Sequence, residues 1–350
     1  MESINPKFLR KSKYQQKVSD TIVQCLTCER KCKIAKGRMG FCYTRMNLDG
    51  IIYTLVYGCI PALSNNPIEK KPLFHFNPGT YAITVGTYGC NFSCPWCQNH
   101  HISHPSRPVL EKIRDEKEYL SPERLIDLTL KNHSKGTSIS FNEPTLLFEY
   151  SLDVFKLAKQ KGLYNTYVSN GYMTSDVLKD LAENGLDAIN IDIKGDADMV
   201  QKYCGADIEK VWRNAKEAKN LGVHIEITTL LIENLNTDEK IIKNISKRIY
   251  EDLGKDTPFH LTRSFPHYKS HEYGITKPTS VTFLEKAYHI AKEVGLNFVY
   301  LGNLDNNEYE NTICPNCSHL IIRRSHFGVT MLSLDSDGNC EYCGYPICIV

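Results

Sequence analysis

From residue 81 to residue 302 the apolar positions alternate between two periods, about two in short runs and about three and a half in longer ones. YAITVGT (81–87), TSISF (137–141), YNTYVSN (164–170), DAINIDI (187–193), VHIEITTLL (223–231), PFHLT (258–262) and NFVYLG (297–302) read as strands. Between them SPERLIDLTLKN (121–132), LLFEYSLDVFKLAKQKG (146–162), MTSDVLKDLAENG (173–185), IEKVWRNAKEAKNLG (208–222), NTDEKIIKNISKRIYEDLG (236–254) and SVTFLEKAYHIAKEVG (280–295) read as amphipathic helices. The first helix has Ser121 as N-cap, Pro122 at the first helical position and Glu123 in the first turn, and several others end at glycine. Six or seven strand–helix units over about 220 residues predict a parallel sheet covered by helices, either curled into a barrel or open.

Both flanks lack this pattern and carry short strands, turns and paired cysteines. The chain of 350 residues is 41% hydrophobic, enough for a full core without staples, yet it contains 14 cysteines. With 42 basic and 40 acidic side chains, its formal charge of +2 provides no bulk field toward nucleic acid or membrane. No apolar run approaches the roughly 20 residues of a membrane span, and MESINPKFLRKSKY is too polar for a signal peptide, so a cytoplasmic protein is expected. In that reducing compartment clustered cysteines point to metal or thiol chemistry rather than disulfides.

The cysteines fall into three sets. Cys90, Cys94 and Cys97 in VGTYGCNFSCPWCQN directly follow the first core strand with Cys-x3-Cys-x2-Cys spacing. A closed zinc site needs a fourth ligand, which His100, His101 or His104 could supply. Alternatively, three thiolates hold a 4Fe-4S cluster and leave one iron open to an external ligand. Cys25, Cys28, Cys32 and Cys42 form a second set, able to hold zinc or an auxiliary iron–sulfur cluster. Cys314, Cys317, Cys340 and Cys343 form two Cys-x2-Cys knuckles, the pattern of a zinc ribbon. Cys59, Cys204 and Cys348 stand outside the sets, and a lone cysteine is usually a small buried hydrophobe.

Polar residues cluster at the ends of the core strands: Asn142 and Glu143 in ISFNEPTL, Ser169 and Asn170 in YVSNGYMT, and Asp192 and Lys194 in INIDIKG. Asp192 and Lys194 share one face of their strand, where a buried ion pair is the structural alternative. Glu226 and Thr228, His260, Arg263 and His267, and the Gly302–Asn303 end of the last strand are further candidates for shaping a substrate site. Arg323 and Arg324 in the last flank leave room for nucleic-acid contact, on few basic residues.

The three-cysteine loop after the first strand of an α/β core resembles the signature of radical S-adenosylmethionine (SAM) enzymes. That resemblance implies a partial (β/α)6-type barrel with cysteine-rich appendages: residues 1–75 as an N-terminal metal-binding region, 76–305 as the core and 306–350 as a zinc-ribbon-like tail. It implies a 4Fe-4S cluster on Cys90, Cys94 and Cys97 and SAM contacts from Asn142, Glu143, Ser169, Asn170, Asp192 and Lys194, the Asp-x-Lys pair being similar to that of glycyl-radical activating enzymes. Together with both cysteine-rich flanks and PIEKKPLFHF (67–76), the order of motifs resembles the radical enzyme of the AmmeMemoRadiSam system. This implies AMMECR-family and Memo-family proteins as partners and an electron donor. The expected activity is reductive cleavage of SAM and hydrogen abstraction from an unidentified substrate. Alternatives are an RNA- or protein-modifying methyltransferase using the same cluster, and a non-enzymatic multi-zinc interaction or nucleic-acid-binding protein.

Overall fold

The structure, a computed structural model, describes residues 5–104, 116–305 and 308–350. An eight-stranded mixed sheet forms its centre. Strand β1 (Ala62–Pro67) pairs antiparallel with β2 (Tyr81–Gly86), and every later pairing is parallel. The order continues through β3 (Gly136–Ile139), β4 (Tyr164–Ser169), β5 (Ala188–Asp192), β6 (His224–Leu231), β7 (Phe259–Arg263) and β8 (Val299–Gly302). The ladder therefore has two ends, β1 and β8.

The six expected helices are α1 (Pro122–Lys131), α2 (Phe148–Gln160), α3 (Ser175–Glu183), α4 (Ile208–Asn220), α5 (Glu239–Arg248) and α6 (Val281–Val294). Side-chain caps set the starts of four of them: the side chain of Ser121 accepts from Arg124 N, Asp207 from Glu209 N, Asp238 from Lys240 N and Ser280 from Phe283 N. Strand β1 has no counterpart in the sequence reading. Its residues ALSNNP are mostly polar and end in proline, which an edge strand tolerates and a central one does not. The expected boundary at residue 75 thus places one strand of the central sheet with the N-terminal region.

The alternation within each strand gives the sheet two unlike faces. Ile139, Tyr167, Ile189, Ile191, Ile227, Phe259 and Leu261 are buried in the main apolar core that includes the helices. By the twofold period and the parallel register, Ser138, Ser140, Asn190, Asp192, Glu226, Thr228, His260 and Tyr300 share the opposite face. The segment PIEKKPLFHF crosses this polar face. Asn190 Nδ2 donates to Pro72 O (2.7 Å), while the Glu226 carboxylate accepts from the Phe74 and His75 backbone amides (3.0 and 2.7 Å).

Among the described residues, three small antiparallel sheets flank the core. Two precede it, one built from Gln15–Lys17, Ile22–Cys25 and Lys33–Ala35, the other from Arg10–Lys11, Arg45–Leu48 and Ile51–Thr54. Buried Arg45 ties the second to α2 through a bidentate pair with Glu149 (2.8 and 2.7 Å). The third, after β8, comprises Thr312–Ile313, Leu320–Ser325 and Gly328–Leu332. No helix among the described residues is long and apolar enough to cross a membrane.

Candidate functional site

Cys90, Cys94 and Cys97 lie on the loop that leaves β2 and runs into the short helical turn His100–Ser103. The loop is held from several sides. Asn142, just past β3, donates from Nδ2 to Gly89 O (2.7 Å) and accepts at Oδ1 from Thr87 N (3.2 Å). Gly89 has φ +84°, and a Cβ there would lie 2.4 Å from the carbonyl oxygen of Cys42, so both backbone conformation and packing require glycine. Arg30 donates from Nε to Asn91 O (2.6 Å) and from Nη2 to Cys204 O (2.9 Å), and Ser93 Oγ donates to Tyr203 O (3.2 Å).

Cys90 feels the charge of Cys94 and Cys97, and Cys97 that of Cys94. Burial pushes Cys90 well up, with the Glu143 charge adding to it, and burial also raises Cys97, whose Sγ lies 3.0 Å from Ser103 Oγ. Cys94 is lowered, first by its hydrogen bond with Cys204. Cys90, Cys94 and Cys97 do not come within 4.8 Å of one another as a set, a wider spacing than that of the C-terminal cysteines. His104 places its ring nitrogens on Ser103 Oγ and Phe92 O, and His100 stacks on Tyr268.

Glu143 is the hub of the next strand ends. It is 1% exposed, and its Oε1 accepts from Thr145 N (3.0 Å), Thr145 Oγ1 and Ser169 Oγ (2.9 Å). Oε2 accepts from Asn170 N (2.9 Å), which leaves that oxygen a lone pair. Burial pushes the carboxyl up despite these donors, and a cation beside Oε2 would reverse that push. Asn170 Nδ2 donates to Asn91 Oδ1 (2.7 Å), next to Cys90, and its Oδ1 accepts from Tyr172 N. Beyond β5, Lys194 Nζ and an Asp192 oxygen are 2.8 Å apart. Burial would lower Lys194, yet Asp192 and Cys94 hold it above the usual lysine range, a fixed positive charge facing the cysteine loop.

This donor set fits the cluster and ligand that the family resemblance implies. Three soft ligands share one loop, a carboxylate has acceptor capacity in hand and a cation–anion pair lies near the loop. On the polar sheet face, Ser138 Oγ, Ser140 Oγ, Asn190 Oδ1 and Thr228 Oγ1 are buried without a protein partner, as polar walls of a ligand chamber would be.

Other candidates serve different ends. Glu226 and His260 belong to the tie across the polar face, with His260 Nε2 2.6 Å from Glu226 Oε2. Arg263 Nε donates to Thr279 O, Asn303 Nδ2 donates to Arg263 O and His267 N donates to Ser270 Oγ, so all three pin loops. Arg324 offers nothing to nucleic acid: it is 4% exposed and donates to Phe74 O, Glu310 O and Thr312 Oγ1.

Cys314, Cys317, Cys340 and Cys343 form a group able to hold a metal ion, with sulfurs all within 4.8 Å of one another, and Cys348 lies outside it. No three of Cys25, Cys28, Cys32 and Cys42 are that close, although all four line one cavity. Cys204 is the residue that sequence reasoning passed over. Fully buried at the end of a turn wound i to i+5 (Val200–Cys204), it brings its sulfur to 3.4 Å from that of Cys94. The available signal was its position, since it alone of the unassigned cysteines falls within the strand–helix repeats, just before a left-handed glycine, Gly205.

Residues 84–245 match the sequence profile of the Radical SAM superfamily. An uncharacterized protein of Methanocaldococcus jannaschii is 38% identical over 345 residues, which cover 98% of this chain and 100% of that protein. A second protein of that organism, named provisionally as a glycyl-radical enzyme activating enzyme, is 28% identical over 233 residues, covering 63% of this chain and 79% of its own. Among solved structures, a domain of pyruvate-formate lyase-activating enzyme from Bacteroides vulgatus superposes with a TM-score of 0.41 and 21% identity, over 49% of this chain and 100% of that one. With similarity to one relative along nearly its whole length, and with the profile spanning the cysteine loop and the strands that face it, the chain belongs to the radical SAM superfamily and is homologous to the glycyl-radical activating enzymes.

Proposed function

We propose that the chain is a radical SAM enzyme whose partial (β/α)6 barrel binds a 4Fe-4S cluster on Cys90, Cys94 and Cys97. When bound, cluster and SAM supply reductive cleavage of the sulfonium to methionine and a 5'-deoxyadenosyl radical that abstracts hydrogen from substrate. One observation carries this reading: the three-cysteine loop lies between the buried Glu143 carboxylate, whose charge reaches Cys90, and Lys194, whose charge reaches Cys94 and Cys97. Glu143 Oε2 takes the ammonium of SAM, while Ser169 and Asn170 hold that carboxylate in place. Asp192 and Lys194 contact the remaining polar groups of SAM, and Asn142 sets the start of the cysteine loop. The C-terminal four cysteines hold zinc, which folds a tail with little apolar mass of its own.

A methyl-transfer reading calls for a further methyl carrier or a free acceptor cysteine. Cys204 lies within the cysteine loop's own packing, its sulfur against Cys94 and its carbonyl oxygen on Arg30. The motif order further supports the AmmeMemoRadiSam group, with AMMECR-family and Memo-family proteins as partners and an external electron donor. Equilibrium dialysis of SAM against reconstituted protein tests the ligand assignment. Glu143→Gln should bind SAM about tenfold or more weakly at unchanged iron content, as expected for losing a charge-assisted hydrogen bond. Unchanged affinity would remove Glu143 from the site.

A further inference from the structure

We propose that Cys25, Cys28, Cys32 and Cys42 hold a second iron–sulfur cluster, saturated by protein thiolates and seated against the loop of the central cysteines. Its first support is the contrast between the two four-cysteine sets. A zinc ion with Zn–S bonds of about 2.3 Å draws its sulfurs to within about 3.8 Å of one another, and the C-terminal set, all within 4.8 Å, is of that kind. The N-terminal thiols face a common cavity, yet no three of them meet the same limit. A polynuclear cluster puts several irons between its thiolates and calls for such a wider set.

The cavity wall supplies what a sulfide-rich anion requires. Arg45 Nε and Asn91 Nδ2 are both buried and donate to no protein acceptor, and both residues line the cavity. Thr44 Oγ1 donates to Cys42 Sγ (3.2 Å). Donors to cluster sulfur and an adjacent positive charge are the means by which a protein stabilises and tunes such a group. Arg45 is itself fixed by Glu149, so its orientation toward the thiols does not depend on the metal.

The two cysteine sets also touch. The carbonyl of Cys42 packs on Gly89, which precedes Cys90, and Asn91, which follows Cys90, forms part of the N-terminal cavity. Arg30, between Cys28 and Cys32, grips the central loop at Asn91 O and the turn packed on it at Cys204 O. A cluster with four protein ligands exposes no iron to substrate, so its chemistry is electron transfer. One electron from an external low-potential donor reduces this cluster and then passes to the central one. The donor is oxidised by one electron and the N-terminal cluster returns to its starting state. Metal identity rests on the N-terminal residues alone, while the electron's destination rests on the proposed function.

The test is anaerobic purification of the wild-type chain and of the Cys90→Ala, Cys94→Ala, Cys97→Ala triple variant, followed by iron, acid-labile sulfide and zinc analysis and electron paramagnetic resonance after dithionite reduction. The triple variant should keep about four irons, about four sulfides and about one zinc per chain, half the wild-type iron. Its reduced-cluster signal should not change when SAM is added. A triple variant with no iron and about two zincs would overturn the proposal, as would a signal that SAM perturbs. Iron present in the wild type and wholly lost in the triple variant sinks this proposal and spares the central site. About four irons in both proteins sinks the central site and spares this one.

Discussion

The sulfurs of Cys94 and Cys204 lie 3.4 Å apart, although 110 residues separate them in the chain. The contact fastens the middle of the cysteine loop to the turn that follows β5, where Arg30 and Ser93 already meet the carbonyls of Cys204 and Tyr203. Within the proposed function, Cys204 is a packing partner of a ligand and not a ligand itself, because a fourth thiolate would close the open iron. Cys204→Ala should therefore retain the central iron and cost about 1 kcal/mol of stability, as expected for removing a small buried group. Cys94→Ala should lose about four irons per chain. Iron analysis of the two variants decides the point, and equal losses would make Cys204 a ligand.

The seven parallel-sheet strands and six helices were legible because each strand shows an apolar face to the helices and four of the six helices start at a side-chain cap: INIDI alternates Ile189 and Ile191 against Asn190 and Asp192, and Ser121, Asp207, Asp238 and Ser280 stand where helices begin. Strand β1 was not legible, since an edge strand of polar residues ending in Pro67 carries no periodic signal. The strand-end residues Glu143, Asn170, Asp192 and Lys194 could be found because a polar residue closing an apolar strand is anomalous. What they bond to was hidden. That Asn142 clamps Gly89, or that Glu226 holds Phe74 and His75, depends on contacts between segments far apart in sequence. Cys204 was missed for the same reason, as nothing local distinguishes a thiol beside Cys94 from one buried among aliphatic side chains.

Acid should loosen the tie between core and tail. His75 is fully buried, with Nδ1 2.9 Å from Ile347 O and Nε2 2.6 Å from Tyr300 Oη, and Val350 N donates to its carbonyl. Burial pushes its ring down to about 3, against the opposing pull of the nearby Glu226 charge. The folded state therefore holds His75 neutral where the unfolded chain, near 6.5, takes up a proton. Its contribution to stability is complete above about pH 6.5, declines as pH falls and stops changing below about 3. At pH 5 the loss from this group is about 2 kcal/mol. Glu226 works in the same direction. Burial opposes its charge, but the hydrogen bonds from His224 and His260 hold it below the usual carboxylate range, so protonation in stronger acid weakens the fold further. Thermal unfolding from pH 8 to pH 5 should show a falling midpoint, with a shallower slope in His75→Gln. An identical slope in that variant would contradict the assignment.

Metal removal should act locally at the tail. Cys314, Cys317, Cys340 and Cys343 bring their sulfurs within 4.8 Å, and the small apolar cluster around them includes Phe298 and Tyr300 of the core. Chelation, or Cys340→Ser, should release about one zinc per chain and raise amide exchange in Leu320–Ser325 and Gly328–Leu332. Strands β2 to β7 should keep their protection. Exchange spreading evenly through those strands would mean that the tail metal supports the whole fold.

The central claim is that Cys90, Cys94 and Cys97 hold a cluster that cleaves SAM. Its direct test is chromatography of the products after the anaerobically reconstituted protein is mixed with dithionite and SAM. The wild type should form 5'-deoxyadenosine and methionine in equal amounts, and the Cys90→Ala, Cys94→Ala, Cys97→Ala variant, which retains its tail zinc, should form neither. A wild-type protein that carries only zinc and leaves SAM intact, or a triple variant that still cleaves it, would contradict the account.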